Sequence, residues 1–123
     1  MSSFKESKAL AHIEHTDRVK DFVKYNTNQI SIIYPDGTRT DSSNFNPLAF
    51  WNTGCQMVAL NYQTNDKQVF LNNARFLDNG GSGYILKPEF LHQYDSEYSP
   101  VAPLQKEVET ERYLNVTVLS GQF

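Results

Sequence analysis

Cysteine is almost absent. Cys55 is the single one in 123 residues, so no internal disulfide can form. That suits a reducing compartment. Long apolar runs are missing too: no stretch approaches the roughly 18 residues a membrane-crossing helix needs. The opening Met1-Ser2-Ser3-Phe4-Lys5-Glu6 reads neither as a secretory signal nor as a transit peptide. Basic charge is in deficit, with 11 Lys and Arg against 14 Asp and Glu and a formal net charge of -3. A protein that coats nucleic acid carries a basic stripe, so no nucleic-acid partner is expected, although a small local anion pocket stays open. Aromatic residues are plentiful at 13%, with 8 Phe and 7 Tyr, which is a globular rather than a disordered composition.

Three short apolar runs organise the chain: Gln29-Ile30-Ser31-Ile32-Ile33-Tyr34, Gln56-Met57-Val58-Ala59-Leu60-Asn61-Tyr62 and Gly83-Tyr84-Ile85-Leu86-Lys87. They recur about every 27 positions and are nearly continuous in apolar character, as parallel strands buried on both faces are. Helix signals fall between them. Asn46-Pro47 is an N-cap followed by proline at the first helical position, and Gly54 can close that helix. Thr64-Asn65-Asp66 can open a second helix carrying Val69, Phe70 and Leu71, and Asp78-Asn79-Gly80-Gly81 is a turn. Strand, helix, strand, helix, strand predicts a parallel α/β sheet.

The N-terminal segment reads as helix. Ser3-Phe4-Lys5-Glu6 fits a capping box, and Thr16-Asp17 interrupts and recaps. Residues 92–110 hold Pro100 and Pro103 with no clear period, and read as a linker. Tyr113 to Leu119 largely alternates apolar and polar, as a strand with one buried face does.

Several groups tempt a functional reading without carrying it. Cys55 has no evident base nearby and reads as a small buried residue. His12 and His15 stand three apart on a helix, a spacing that a solvated face explains as well as a metal does. Asn79-Gly80-Gly81-Ser82-Gly83 precedes a strand and lacks the Lys-Ser/Thr of a phosphate loop. Arg39 and Asp41, in a polar loop, read as an ion pair or turn cap. Arg18, Lys20 and Lys24 read as a solvated helix face.

Three segments together carry a family resemblance: residues 33–47 (Ile33-Tyr34-Pro35-Asp36-Gly37-Thr38-Arg39-Thr40-Asp41-Ser42-Ser43-Asn44-Phe45-Asn46-Pro47), residues 50–64 around Trp51-Asn52-Thr53-Gly54-Cys55-Gln56, and residues 79–91 around Gly83-Tyr84-Ile85-Leu86-Lys87-Pro88. In this order they resemble the Y-box of eukaryotic phosphoinositide-specific phospholipases C. The resemblance runs over residues 1–91. Residues 111–123, ending Ser120-Gly121-Gln122-Phe123, look like the first strand of the lipid-binding β-sandwich that follows the barrel in this family.

The resemblance implies a fold: the C-terminal half of a distorted TIM-type β/α barrel, with the three runs as its last three strands. A complete barrel takes roughly 250 residues. It also implies a parent enzyme that cleaves phosphatidylinositol bisphosphate into diacylglycerol and inositol trisphosphate at the cytoplasmic membrane surface. In the family the acid–base histidines and the calcium ligands belong to the preceding N-terminal barrel half. This chain is therefore expected to carry no catalytic residue and no metal ligand, and to be inactive alone. Three positions carry over by motif: Ser3 as a hydrogen-bond donor to a ring phosphate, Tyr34 packing against the inositol, and Leu10 on the membrane rim. Each has a plainer alternative, as an N-cap, a turn anchor and a core residue respectively. Ile32 stands where the family usually has an arginine for the ring phosphates, and Thr38 where some members place a rim tryptophan. Ile32 also keeps a second reading open, a non-catalytic phosphoinositide-binding or scaffold protein derived from the family.

Overall fold

The computed structural model describes residues 1–101, 113, 115–117 and 121. A three-stranded parallel sheet is at its centre, built from β1 (Ser2–Lys5), β2 (Ser31–Tyr34) and β3 (Met57–Val58) in the order β1-β2-β3. Ser2 pairs with Ser31, Ser3 with Ile32, Phe4 with Ile33 and Lys5 with Tyr34. On the other side Ile32 pairs with Met57 and Ile33 with Val58, and one further bond, Ala59 N–H to the Ile33 carbonyl at 2.8 Å, prolongs that ladder.

Among the described residues five α-helices accompany the sheet: α1 (Glu6–Ile13), α2 (Thr16–Asn28), α3 (Leu48–Asn52), α4 (Lys67–Phe76) and α5 (Glu89–His92). In α2, Val19, Phe22, Val23 and Asn26 are buried, a stripe at spacings of three and four that turns one side of the helix inward. The core joins Ala9, Phe22, Ile33, Phe45, Phe50 and Cys55, with Phe45 and Phe50 edge to face at 5.1 Å. The Asn46 side chain accepts from Leu48 N–H at 3.1 Å and starts α3, as the Asn-Pro signal predicts. Gly54, at φ 80°, ends it; a Cβ there would meet Lys87 Nζ at 3.4 Å and Asn26 Cβ at 3.5 Å. Asp66 caps α4 by accepting from Val69 N–H at 3.1 Å.

Two elements differ from the sequence reading. Residues 2–5 form a strand, so Ser3 is not a helix cap. Its backbone lies in the β1–β2 ladder, and the Glu6 side chain turns to Asp36 N–H and Arg39 instead of reaching back. Conversely, Gly83–Lys87 forms no strand. Asn79 Nδ2 donates to the Tyr84 carbonyl at 3.1 Å and holds the segment as an extension of the turn. Tyr84 and Leu86, 79% and 92% exposed, have no second layer to bury against. The third strand of the sheet is thus the first in the chain. The predicted barrel half reduces, among the described residues, to this sheet with helices packed on one face.

The predicted boundary at residue 91 falls inside α5, which packs on α2. The start of the predicted linker is attached to it: Tyr98 lies 4.6 Å from Phe90 ring to ring, Lys20 pairs with Glu97 at 3.8 Å, and Ser99 is buried. The remaining linker, over 102–110, and most of the predicted sandwich strand over 111–123 lie outside the described residues.

Candidate functional site

Side chains alternate along a strand, so the register sorts the sheet into two faces. Phe4, Ile33 and Val58 turn to the helices and join the core. Ser3, Lys5, Ile32, Tyr34 and Met57 share the opposite face, where none of them is buried. Ser3 and Tyr34, chosen from sequence alone, therefore stand on one open face of neighbouring strands. Tyr34 ends β2 and Lys5 ends β1, at the C-terminal edge where α/β sites form. Leu10 is elsewhere: it is half-buried on α1 and packs against the core.

The loop after Tyr34 is fastened from below. Arg39 grips Glu6 with two bonds, Nε to Oε1 at 2.5 Å and Nη2 to Oε2 at 2.8 Å, and donates from Nη1 to Ser43 Oγ at 3.0 Å. Glu6 Oε1 also accepts from Asp36 N–H at 2.9 Å. The Arg39 guanidinium holds the Glu6 carboxyl below its ordinary range, and Glu6 raises Arg39 in return. Asp41 accepts from Ser43 N–H at 3.1 Å. The structural reading of both loop residues holds, with Glu6 as the ion-pair partner that the sequence left unidentified. Farther along, Asn44 ties the loop to the region after β3, donating to the Asn61 carbonyl at 3.1 Å and accepting from Asn61 N–H at 2.6 Å.

Behind the sheet, Asn26 is fully buried. Its Nδ2 donates to the Thr53 carbonyl at 2.9 Å and its Oδ1 accepts from Ser31 Oγ at 2.5 Å. Gln56 donates to the Asn26 carbonyl at 2.8 Å and accepts from Ser31 N–H at 2.9 Å. These bonds hold the end of α2 to the starts of β2 and β3.

Cys55 sits in this layer. Burial pushes its thiol up to about 11, opposed in part by contacts with Thr53 and Asn26. The thiolate is the reactive form, so Cys55 is inert in the fold. Iodoacetamide is expected to label it only after denaturation; stoichiometric labelling of the native protein near neutral pH would contradict this. His12 departs from a purely solvated role, since its ring stacks on Phe22 at 5.3 Å, whereas His15 is exposed. Arg18, Lys20 and Lys24 are exposed on α2, as the sequence reading has them.

The open face does not fit a calcium ion. Calcium takes six to eight oxygen ligands with carboxylates among them, whereas this face offers two hydroxyls, a lysine and apolar groups. No three His, Cys, Asp or Glu converge among the described residues.

Parallel strands with helices on one face and polar groups at their C-terminal ends place the chain among α/β proteins whose sites form at strand ends. Within that class the comparisons are specific. The fold matches the crystal structure of L. pealei PLC21 with a TM-score of 0.78 and 48% identity, covering 83% of this chain and 13% of that one. S. officinalis PLC21 matches equally, at 0.78 and 49%. In sequence, a 1-phosphatidylinositol 4,5-bisphosphate phosphodiesterase of Drosophila melanogaster is 46% identical over all 123 residues, which are 11% of its length. The beta egl-8 phosphodiesterase of Caenorhabditis elegans is 48% identical, and there the chain covers 8%. The model of the phosphatidylinositol-specific phospholipase C Y domain matches residues 1–90. The chain belongs to that family, and it spans about a tenth of the length of the curated relatives it matches.

Nothing in the local sequence marks Lys5 as a site residue. The capping-box pattern suggested a helix start, and only the strand register brings Lys5 beside Tyr34.

Proposed function

We propose that this chain is part of a phosphoinositide phospholipase C that hydrolyses phosphatidylinositol bisphosphate to diacylglycerol and inositol trisphosphate. The observation that carries the reading is the common open face of Ser3 and Tyr34 at the strand ends, in a chain whose full-length matches are named phosphodiesterases of that lipid. In this reading the sheet is half of a β/α barrel, and the open face lines the barrel's interior once the N-terminal half closes against it. The Ser3 hydroxyl donates to a ring phosphate. The Tyr34 ring covers the inositol, and its apolar body excludes water from one side of the head group. The general acid, the general base and the calcium ligands come from the N-terminal half, so the role of this chain is to bind and orient. The protein works at the cytoplasmic face of a membrane, and the accessible part of Leu10 touches the lipid rim.

The test uses the full-length protein on vesicles containing phosphatidylinositol bisphosphate. Calcium-dependent release of inositol trisphosphate is expected, and Tyr34→Ala is expected to lower kcat/KM roughly 10- to 100-fold, the cost of one well-packed contact and its orientation. Head-group binding with no turnover would instead support the non-catalytic scaffold reading. Neither binding nor turnover would refute both.

A further inference from the structure

We infer that Lys5 is a specificity-determining residue that reads the phosphates on the inositol ring; the inference rests on the head-group site proposed above. The register sets Lys5 directly opposite Tyr34, and Ser3 lies two residues back on the same face. Adjacent strands are about 4.8 Å apart, so a lysine stem on β1 reaches the space above the Tyr34 ring. Lys5 is exposed and makes no ion pair among the described residues. The acidic groups nearest in sequence are already engaged. Glu6 is held by Arg39 and Asp36 N–H, and the Asp36 carboxylate accepts from Ser7 N–H at 3.3 Å. Among the other residues of the face, Ile32 and Met57 are apolar and Ser3 and Tyr34 are neutral hydroxyls. Among the described strand residues of this face Lys5 is thus the one charge, set beside the Ser3 and Tyr34 hydroxyls, while the cations Arg75 and Lys87 line the cavity farther along, next to Ile32 and Met57.

Such a group favours an anion, and the ring phosphates are the part of the lipid that differs between phosphatidylinositol and its phosphorylated forms. A lysine acts on phosphate as a mobile point charge, without the fixed fork of an arginine. It therefore selects for phosphate number more than for phosphate position.

The experiment takes the full-length protein as wild type, Lys5→Met, Lys5→Arg and, as a control on the exposed face of α2, Lys24→Met. Turnover is measured on phosphatidylcholine vesicles carrying either phosphatidylinositol or its bisphosphate. Lys5→Met is expected to lower the ratio of kcat/KM for the bisphosphate over phosphatidylinositol by roughly 10- to 100-fold, the range of one charge-assisted contact. Lys5→Arg is expected to restore most of the ratio, and Lys24→Met to leave it unchanged. An unaltered ratio in Lys5→Met, or an equal fall with Lys24→Met, would overturn the assignment. Titration calorimetry with inositol trisphosphate and with inositol separates this from the proposed activity. If the protein turns over neither lipid, the enzymatic reading fails. Lys5 then stands on a loss of about 10-fold or more in trisphosphate affinity in Lys5→Met that is recovered in Lys5→Arg, and falls if the affinities are equal or no binding occurs.

Discussion

Replacing Asn26 with alanine is expected to raise hydrogen exchange of the β2 amides roughly 100-fold. Asn26 is fully buried, and both ends of its side chain are used. Removing them leaves the Thr53 carbonyl and the Ser31 hydroxyl without these partners in a layer that excludes water. Each such group costs about 1–3 kcal/mol, so the two together cost roughly 2–6 kcal/mol, and about 3 kcal/mol, in the lower half of that range because the site can relax, is roughly 100-fold in an opening equilibrium. The effect should be concentrated in Ser31–Tyr34, because Ser31 is the contact of Asn26 with the sheet. Turnover should fall with it, since Tyr34 ends the same strand. Asn28→Ala, on an exposed position of the same helix, is the comparison and should change exchange little. Rates within about 3-fold of wild type in Asn26→Ala would show that the network is not what fixes β2.

The sequence made the helices more legible than the strands, for a physical reason. A cap is a local event: Asp66 accepts from Val69 N–H three residues away, and Asn46 from Leu48 N–H two residues away, so the residues that fix the helix start are adjacent in the text. A strand is defined by a partner far off in the chain. Ser2–Lys5 has a short, half-polar pattern that also fits a capping box, and what decides it is the pairing with Ser31–Tyr34, nearly thirty residues later. Gly83–Lys87 shows the converse. Its apolar run is the raw material of a strand, but the Asn79 side chain ties it to the preceding turn and the run stays outside the sheet, with Leu86 exposed. The candidate site divides in the same way. Ser3 and Tyr34 were available through motif resemblance, because the motif preserves residue identity. Their common face, the presence of Lys5 on it and the pairing of Glu6 with Arg39 depend on register and on contacts across more than thirty residues.

The Glu6–Arg39 pair supplies the second large effect, and its dependence on pH is the diagnostic part. Glu6 is 5% exposed and carries three hydrogen bonds, from Arg39 Nε, Arg39 Nη2 and Asp36 N–H. Glu6→Gln keeps the shape but removes the charge, leaving a partly buried guanidinium without its counterion. Breaking such a pair from one side costs about 3 kcal/mol when one partner keeps some contact with water, as Arg39 does. The Arg39 hydrogen bond holds the folded Glu6 carboxyl below its ordinary value of 4.5. A group whose folded pKa is depressed contributes stability that is fully present above the unfolded value and is lost as pH falls through the folded one. The penalty of Glu6→Gln is therefore expected to be full near about pH 7 and to shrink as acid protonates the wild-type carboxylate, until the two proteins converge below the folded pKa. Local opening of the loop over residues 35–43, followed by limited proteolysis or hydrogen exchange across that range, reads it directly. A penalty of the same size at neutral and acid pH would mean that Glu6 acts through packing alone. No penalty at any pH would mean that the clamp does not hold the loop on which Tyr34 depends. If the clamp does hold it, one salt link fixes the loop that follows Tyr34 to the end of β1, beside the face that the strand register gives Ser3, Lys5 and Tyr34.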